Sequence, residues 1–251
     1  MSQSLERERT QREIITLLYE KGMIRTFYRD KPEGWTLVSG MYSPLYIQLR
    51  PLASYPSVFE KICRAMAGML QEEAPHITRV IGIAMAGVPV AAGIGLVGGI
   101  PAGFTRKLEN VKSIESFRQV IASYGEHALV EGELASGDKI ALVDDLVTRF
   151  DSKQIALAQV AQEVKRRNLS GVECRTIAVV LDREQGGREA AVREGVDLLA
   201  LIPFKTVGLP LLQDVMDKTE WEILSRYLAE PDFFQAEHVR KEIRELAMTR
   251  P

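Results

Sequence analysis

The sequence KIALVDDLVTRFDSK, residues 139–153, decides the fold. Its apolar run at residues 140–143 contains β-branched side chains and is typical of a buried strand. Two adjacent acids, Asp144 and Asp145, follow this run. A short polar loop comes next, and a long helical pattern then begins near Ser152. The stretch therefore predicts a strand, an acidic loop and a helix.

The acidic pair lies where a ligand site is expected. In an open parallel sheet, ligands bind at the carboxyl ends of the strands, and a nearby helix N-terminus offers free N–H groups to a phosphate. Paired carboxylates at such a place suit sugar hydroxyls or a magnesium ion. A solvated strand end is the alternative, and the two acids alone do not decide between these interpretations.

The composition indicates an ordinary globular protein. The chain has 251 residues, of which 46% are hydrophobic and 26% charged, so it can bury one core or a core with a small appendage. Its net charge of -2 and the lack of a long basic run argue against nucleic-acid binding. Two cysteines are too few for a disulfide framework, and residues 1–12 lack the apolar stretch of a secretory signal, which predicts the cytoplasm. The most apolar stretch, residues 88–101, is shorter than the roughly 20 residues of a membrane span and predicts a buried helix.

Strand-like and helical segments alternate along the chain, which predicts an α/β protein with a parallel sheet flanked by helices. A first helix is predicted at residues 13–21, and residues 35–50 are expected to form a hairpin or a bent pair of strands before the sheet. The expected sheet strands lie at residues 80–83, 100–105, 140–143, 176–181 and 198–202. We predict a main domain at residues 1–216 and a helical C-terminal extension at residues 217–251.

Four separated segments carry a more specific pattern. They read SGMYSPLYIQLR at 39–50, RK at 106–107 with YGEHALVEG at 124–132, ALVDDLVT at 141–148 and LDREQGG at 181–187. In order and approximate spacing these segments resemble the orotate phosphoribosyltransferase family, including the corresponding domain of UMP synthase. The resemblance extends over residues 14–216. It implies a type I phosphoribosyltransferase fold with an N-terminal hood element and a helical C-terminal tail.

The resemblance also implies an activity. Orotate would displace pyrophosphate from the C1 carbon of phosphoribosyl pyrophosphate and form orotidine 5-phosphate, a step of pyrimidine nucleotide synthesis. The implied cofactor is Mg²⁺, which accompanies phosphoribosyl pyrophosphate, and no separate metal-binding residues are predicted. The implied partners are these small-molecule substrates and a second copy of the chain in a homodimer.

Individual residues receive roles from the same resemblance. Asp144 and Asp145 match the acids that hold the ribose hydroxyls, and Arg106 and Lys107 match basic residues that neutralise the leaving pyrophosphate. The predicted substrate-binding residues are Thr148, Arg149 and Ser152 at the 5-phosphate, Ala86 and Gly87 in the pyrophosphate loop, Arg183 facing the orotate, and Ser39 and Gly40 in the first hairpin.

The phosphate loop and the first hairpin depart from the family pattern. Val38 stands where a lysine that reaches the orotate is usual, and Phe150 replaces a glycine that permits close approach of a phosphate. Asp151 and Gln154 have the spacing of a helix N-cap with its reciprocal partner, which predicts that Asp151 occupies the N–H groups a phosphate would use. Arg149 either compensates by binding phosphate through its guanidinium or is a surface residue.

A third departure is the insertion at residues 108–123, where the family has only a short segment. Ala122 stands where a catalytically important lysine is usual. Val111, Ile114, Phe117 and Ile121 fall on one helical face, which predicts an ordered helix at residues 110–121. We expect its apolar face to be buried over the cleft or against another subunit.

Two functional hypotheses follow. In the first, the protein is a working phosphoribosyltransferase, as the retained acidic pair and Arg183 favour. In the second, it is a catalytically impaired family member that serves as a nucleotide-binding or regulatory subunit, as the three departures favour.

Overall fold

The computed structural model describes residues 3–37, 39–121, 124–125 and 127–249 of the chain. The chain forms two compact units. The terminal unit runs up to Leu52 and resumes at Phe204, whereas the central unit is Ala53–Pro203.

Helices and strands follow one another with mostly short connections. In chain order they are α1 (Gln3–Glu20), β1 (Ile24–Thr26), β2 (Trp35–Thr36), β3 (Tyr42–Ser43), β4 (Leu45–Ile47), α2 (Pro56–Glu73), β5 (Arg79–Gly82), α3 (Gly87–Gly98), β6 (Ala102–Thr105), α4 (Ile114–Ile121), β7 (Val130–Glu131), β8 (Lys139–Val147), α5 (Asp151–Arg166), β9 (Glu173–Asp182), α6 (Gly187–Arg193), β10 (Asp197–Pro203), α7 (Leu209–Leu211), α8 (Lys218–Ala229) and α9 (Glu237–Met248).

The central unit is built on a six-stranded sheet in the order β10-β9-β8-β5-β6-β7. Its neighbouring strands are parallel except for β6 and β7, which pair antiparallel. Apolar side chains of the sheet pack with residues of α5 and α6 into one buried cluster. The predicted α/β fold with a mostly parallel sheet is confirmed.

Strand β8 is longer than the sequence suggested. Its pairing with β9 continues from Asp144 opposite Val179 to Val147 opposite Asp182. The acidic pair therefore belongs to the last part of the strand, and the prediction of a strand end at Val143 is wrong. The ladder continues because β9 extends to Asp182 and supplies backbone partners beyond that point.

The terminal unit contains two small antiparallel pairs, β1 with β4 and β2 with β3. The hairpin predicted at residues 35–50 is thereby confirmed for β2 and β3. Helix α1 starts ten residues before the predicted beginning at Glu13, and Gly22 follows it with a φ of 68°. The N–H of Met23 donates to the Leu18 carbonyl at 3.0 Å, a bond typical of a glycine-terminated helix.

The C-terminal part of the terminal unit is helical, as predicted. Both tryptophans of the chain lie in this unit. The Trp35 ring stacks on Tyr46 at a centroid distance of 5.7 Å, and Trp221 Nε1 donates to the Leu209 carbonyl at 2.9 Å. The predicted division at residues 216 and 217 stays a prediction.

Within the described parts of the chain, we find no helix that combines the length and apolarity needed to cross a membrane. The apolar stretch at residues 88–101 forms α3, as expected, but it is buried on one side only. Leu96 on this helix is 88% exposed.

Candidate active site at the end of strand β8

The acidic pair is organised by a lysine that the sequence analysis missed. The carboxylate of Asp144 accepts a hydrogen bond from Lys153 Nζ at 2.8 Å through Oδ2 and one from the Asp145 N–H at 2.9 Å through Oδ1. The side chains of Lys153 and Asp144 are only 3% and 10% exposed. Lys153 Nζ also donates to the Leu146 carbonyl at 2.7 Å. A buried ion pair thus fixes the first acid.

The signal for Lys153 was present in the sequence. Lys153, Ala156 and Val160 have the three- and four-residue spacing of one helical face, and all three are buried on α5. A lysine on an otherwise buried face requires a partner of opposite charge. Asp144 is that partner.

The second acid has different electrostatics. Burial, followed by the negative charge of Asp144 and hydrogen bonding to it, raises the pKa of Asp145 to about 7. Lys153 acts in the opposite direction but does not cancel this increase. Asp145 therefore changes its charge near neutral pH, while Asp144 is held by a cation.

The loop after β8 differs from the predicted arrangement. Phe150 is buried in the core cluster beside Val147 and Ala156. It is the residue that precedes α5, and no side chain caps this helix end. Asp151 is the first helical residue and is exposed, so the prediction that Asp151 caps the helix is wrong. The inward packing of Phe150 sets the helix start one residue earlier than the predicted cap requires.

The other residues of this loop are presented outward. Arg149 and Ser152 are exposed, and Thr148 is half-buried. The amide of Gln154 donates to Glu194 Oε1 at 2.6 Å, whereas the predicted capping pair would direct it back towards Asp151. The three residues predicted for the 5-phosphate thus lie together at the N-terminus of α5.

A second loop, at residues 84–87, packs directly against the end of β8. A Cβ atom on Gly87 would lie 2.1 Å from the Val143 carbonyl oxygen and 3.1 Å from Asp144 Cα. Only glycine permits this approach. The Ala84 N–H donates to Thr105 Oγ1 at 3.0 Å, and the Ala84–Met85 peptide bond is cis. Ala86 and Gly87 are thereby brought beside the acidic pair.

The two basic residues follow strand β6. The side chains of Arg106 and Lys107 are exposed. Arg106 Nε lies 3.7 Å from Glu131 Oε1, and the Arg106 carbonyl accepts a hydrogen bond from Gln159 of α5 at 2.9 Å. Helix α5 therefore contacts both the acidic pair and the segment that carries the basic pair.

The insertion after Lys107 is ordered where it is described. Its helix α4 covers Ile114–Ile121, which confirms the predicted helix but starts it later, because Ser113 caps it by accepting the Ser116 N–H through Oγ at 3.3 Å. Phe117 and Val111 are buried, and the cluster that contains them includes Ile155 and Ala158 of α5. Part of the apolar face is thus packed against α5 of the same unit, and the expected positions over the cleft or against another subunit stay predictions. The predicted substitution at Ala122 lies outside the described residues.

Arg183, Ser39 and Gly40 are the remaining predicted substrate-binding residues. Arg183 in the central unit is buried, and its N–H donates to the Val147 carbonyl at 3.0 Å. Ser39 and Gly40 are exposed in the turn between β2 and β3 of the terminal unit. Val38 lies outside the described residues.

Among the described residues there is no group of three or more histidine, cysteine, aspartate or glutamate side chains placed to hold a metal ion.

The relatives described below are named orotate phosphoribosyltransferase or uridine 5'-monophosphate synthase. No protein-family model matches the chain. The chain is 31% identical over 194 residues to an orotate phosphoribosyltransferase of Pyrococcus abyssi, which covers 76% of this chain and 91% of that protein. It is 28% identical over 195 residues to the orotate phosphoribosyltransferase of Methanothermobacter thermautotrophicus, which covers 78% of this chain and 92% of that protein. A uridine 5'-monophosphate synthase of Caenorhabditis elegans is 32% identical over 173 residues, 68% of this chain and 31% of that protein.

Solved structures share the fold. A UMP synthase of Leishmania donovani superposes with a TM-score of 0.68 at 24% identity, over 87% of this chain and 42% of that chain. An orotate phosphoribosyltransferase of Aeropyrum pernix superposes with a TM-score of 0.56 at 22% identity, over 80% of this chain and 98% of that chain.

Proposed function

The chain belongs to the orotate phosphoribosyltransferase family, and on this premise we propose that it transfers the phosphoribosyl group of phosphoribosyl pyrophosphate to orotate. The products are orotidine 5-phosphate and pyrophosphate, in pyrimidine nucleotide synthesis. The observation that carries the proposal is the convergence of three elements on one edge of the sheet. These are the acidic end of β8, the N-terminus of α5 and the loop at residues 84–87, which packs against β8 through Gly87.

In this proposal the end of β8 and the loop after it hold the ribose 5-phosphate part of the substrate. Asp145, with Asp144 behind it, accepts hydrogen bonds from the ribose hydroxyls. Thr148, Arg149 and Ser152 surround the 5-phosphate at the start of α5. A helix N-terminus stabilises an anion through its free N–H groups and dipole, and the exposed Arg149 adds a guanidinium.

Pyrophosphate departs on the other side of the ribose. We propose that the main chain of Ala86 and Gly87 contacts its oxygens, because the packing of Gly87 on β8 brings this loop beside the acidic pair. Arg106 and Lys107 supply positive charge for the leaving group. As the C1–O bond breaks, negative charge grows on pyrophosphate and positive charge grows on the ribose ring. Fixed cations at the departing oxygens and carboxylates near the ring stabilise both changes.

The contacts with the base stay predictions. Arg183 is the proposed partner of the orotate in the central unit. Ser39 and Gly40 stay predicted substrate-binding residues of the first hairpin.

Magnesium is proposed to arrive with phosphoribosyl pyrophosphate. The acidic pair does not fit a protein-held magnesium site, because Asp144 is paired with the buried ammonium of Lys153 and no third histidine, cysteine or acidic side chain joins the pair among the described residues. Mg²⁺ is commonly held by substrate phosphates and waters together with one or two carboxylates. We assign no step of the reaction to residues that hold the ion.

We further propose that the protein is cytoplasmic, that it forms a homodimer and that it does not bind nucleic acid. The net charge of -2 supports the proposal that it does not bind nucleic acid. Light scattering at micromolar concentration tests the assembly, for which a mass of two chains is expected and a mass of one chain would contradict the dimer.

The activity is tested by incubating the purified protein with orotate, phosphoribosyl pyrophosphate and Mg²⁺ and following the loss of orotate. We expect turnover by the wild type, strong loss in Asp145→Asn, and no change in the control Asp197→Asn, which alters an exposed acid at the start of β10. Absence of turnover in the folded wild type would contradict the proposal. The names of the relatives give no support to a purely regulatory subunit.

A further inference from the structure

Lys153 is a buried cation at the centre of the candidate site. A lysine whose side chain is 3% exposed has lost its hydration, and that loss must be offset by close partners. Its ammonium group has three N–H donors, and three acceptors surround it. These are Asp144 Oδ2 at 2.8 Å, the Leu146 carbonyl at 2.7 Å and, more weakly, Ser152 Oγ at 3.4 Å. The group is saturated by the protein and is not free to bind a phosphate.

The same contacts determine what Asp144 can bind. Each carboxylate oxygen has two lone pairs, so one hydrogen bond to each does not by itself exclude a metal ion, and the obstacle is the neighbouring ammonium group. Oδ2 faces the Lys153 ammonium, and Oδ1 accepts the Asp145 N–H at 2.9 Å. A dication placed beside Asp144 would also lie within a few ångströms of a buried positive charge, where repulsion is weakly screened. Asp145 is the acid that remains for a ligand.

We propose that Lys153 is a built-in counter-ion of the acidic pair, which excludes a divalent cation from Asp144 and Asp145 and leaves Asp145 to accept uncharged donors such as sugar hydroxyls. Lys153 is in this sense a positioning and specificity-determining residue. Only the identification of the donors as ribose hydroxyls rests on the proposed function. The exclusion of the metal rests on the ion pair itself.

The ion pair has a structural consequence for the phosphate loop. Through one ammonium group, Lys153 joins the first turn of α5 to Asp144 and to the Leu146 carbonyl, both on β8. The loop at residues 148–152 is therefore closed at its base by a charged contact.

The test measures Mn²⁺ binding in the absence of substrate, by electron paramagnetic resonance of the free ion. We expect no ion bound at the pair in the wild type at Mn²⁺ concentrations up to about 1 mM, the range of weak protein sites. Lys153→Met should gain one bound Mn²⁺ per chain, with affinity at least about tenfold above the wild type. Lys153→Met with Asp144→Asn should lose the ion again. Circular dichroism checks that each variant is folded.

Lys153→Gln is a second variant, since it keeps a hydrogen-bond donor and removes only the charge. A folded Lys153→Met or Lys153→Gln that binds no Mn²⁺ would overturn the proposal. So would a wild type that binds one Mn²⁺ and loses it in Asp145→Asn. If both lysine variants fail to fold, this wild-type comparison decides alone.

Because orotate turnover is not measured, the two proposals can fail separately. A wild type without transferase activity that still shows this metal pattern would reject the proposed function and support the role of Lys153.

Discussion

Gly87 lies where the loop at residues 84–87 meets β8. A methyl group there would lie 2.1 Å from a backbone oxygen, so the loop must move away from the acidic pair. We expect Gly87→Ala to lower the free energy of unfolding by about 1–3 kcal/mol, the usual cost of overpacking, and to weaken phosphoribosyl pyrophosphate binding. The control is Gly68→Ala. Gly68 lies inside helix α2, and a Cβ atom there would meet no neighbouring side chain or loop within 4 Å. That change should stabilise the protein by roughly 0.5–1 kcal/mol. Equal urea midpoints for the two variants would contradict the assigned packing.

Asp145 gives the site a pH dependence with a defined sign. Its pKa rises from 3.8 to about 7 on folding, so the folded state favours the protonated form. The stabilising contribution is complete below pH 3.8 and is lost as pH rises through 7. Asp145→Asn removes this loss, so its stability relative to the wild type should increase between pH 4 and 8. This increase in relative stability should not exceed roughly 4 kcal/mol, since each pKa unit corresponds to about 1.4 kcal/mol.

Asp144→Asn provides the contrast in the same urea titrations. It leaves the Lys153 ammonium buried without its carboxylate, which typically costs about 3–5 kcal/mol. Opposite effects at neighbouring positions are therefore expected. An Asp145→Asn protein whose stability relative to the wild type falls with rising pH would show that the burial of Asp145 has been misread.

Helix α5 ties the insertion and its flanking strands to the site. Glu163 on this helix is fully buried and accepts hydrogen bonds from Arg166, from Arg167 and from the Leu129 N–H, which lies just after the insertion. Burial alone would raise the pKa of Glu163, but these three partners together lower it to about 2. The helix therefore anchors both ends of the insertion, through Gln159 before it and Glu163 after it.

We expect Glu163→Gln to lower the free energy of unfolding at pH 7 by about 3 kcal/mol, because the pKa falls from 4.5 to about 2 on folding. The lowered pKa means that the stabilisation is present above pH 4.5 and is lost as pH falls through 2. The difference from the wild type should therefore shrink over that range. The matched control is Glu173→Gln, whose ion pair with Lys139 is exposed and should therefore contribute far less to stability. Similar losses in both variants would argue against the anchoring role.

The elements were predictable to different extents. The order of strands and helices, and the helix within the insertion, follow from local apolar spacing, which the sequence displays directly. The start of α5 could not be predicted in this way. The spacing of Asp151 and Gln154 satisfies a capping rule, but the burial of Phe150 determines where the helix begins. Lys153 was missed for a related reason. Its partner Asp144 lies nine residues away on another element, and only tertiary packing brings the two together.

At the scale of the molecule, the chain begins in the terminal unit, forms the central unit from Ala53 to Pro203 and then returns to the terminal unit. The six-stranded sheet contains no strand of the terminal unit among the described residues, and the two small strand pairs contain none of the central unit. The candidate phosphate and ribose groups all belong to the central unit. A ligand that binds there is therefore expected to stabilise that unit directly.

The position of the two tryptophans makes this expectation measurable. Trp35 and Trp221 are both in the terminal unit. Intrinsic tryptophan fluorescence therefore reports the unfolding of that unit and does not report the unfolding of the central unit. Far-ultraviolet circular dichroism observes both. We expect phosphoribosyl pyrophosphate to raise the urea midpoint seen by circular dichroism more than the midpoint seen by fluorescence. Equal shifts would mean that the two units unfold as one. A tryptophan placed at the exposed Val192 of α6, as Val192→Trp, would supply the missing optical reporter and should follow the ligand-dependent transition.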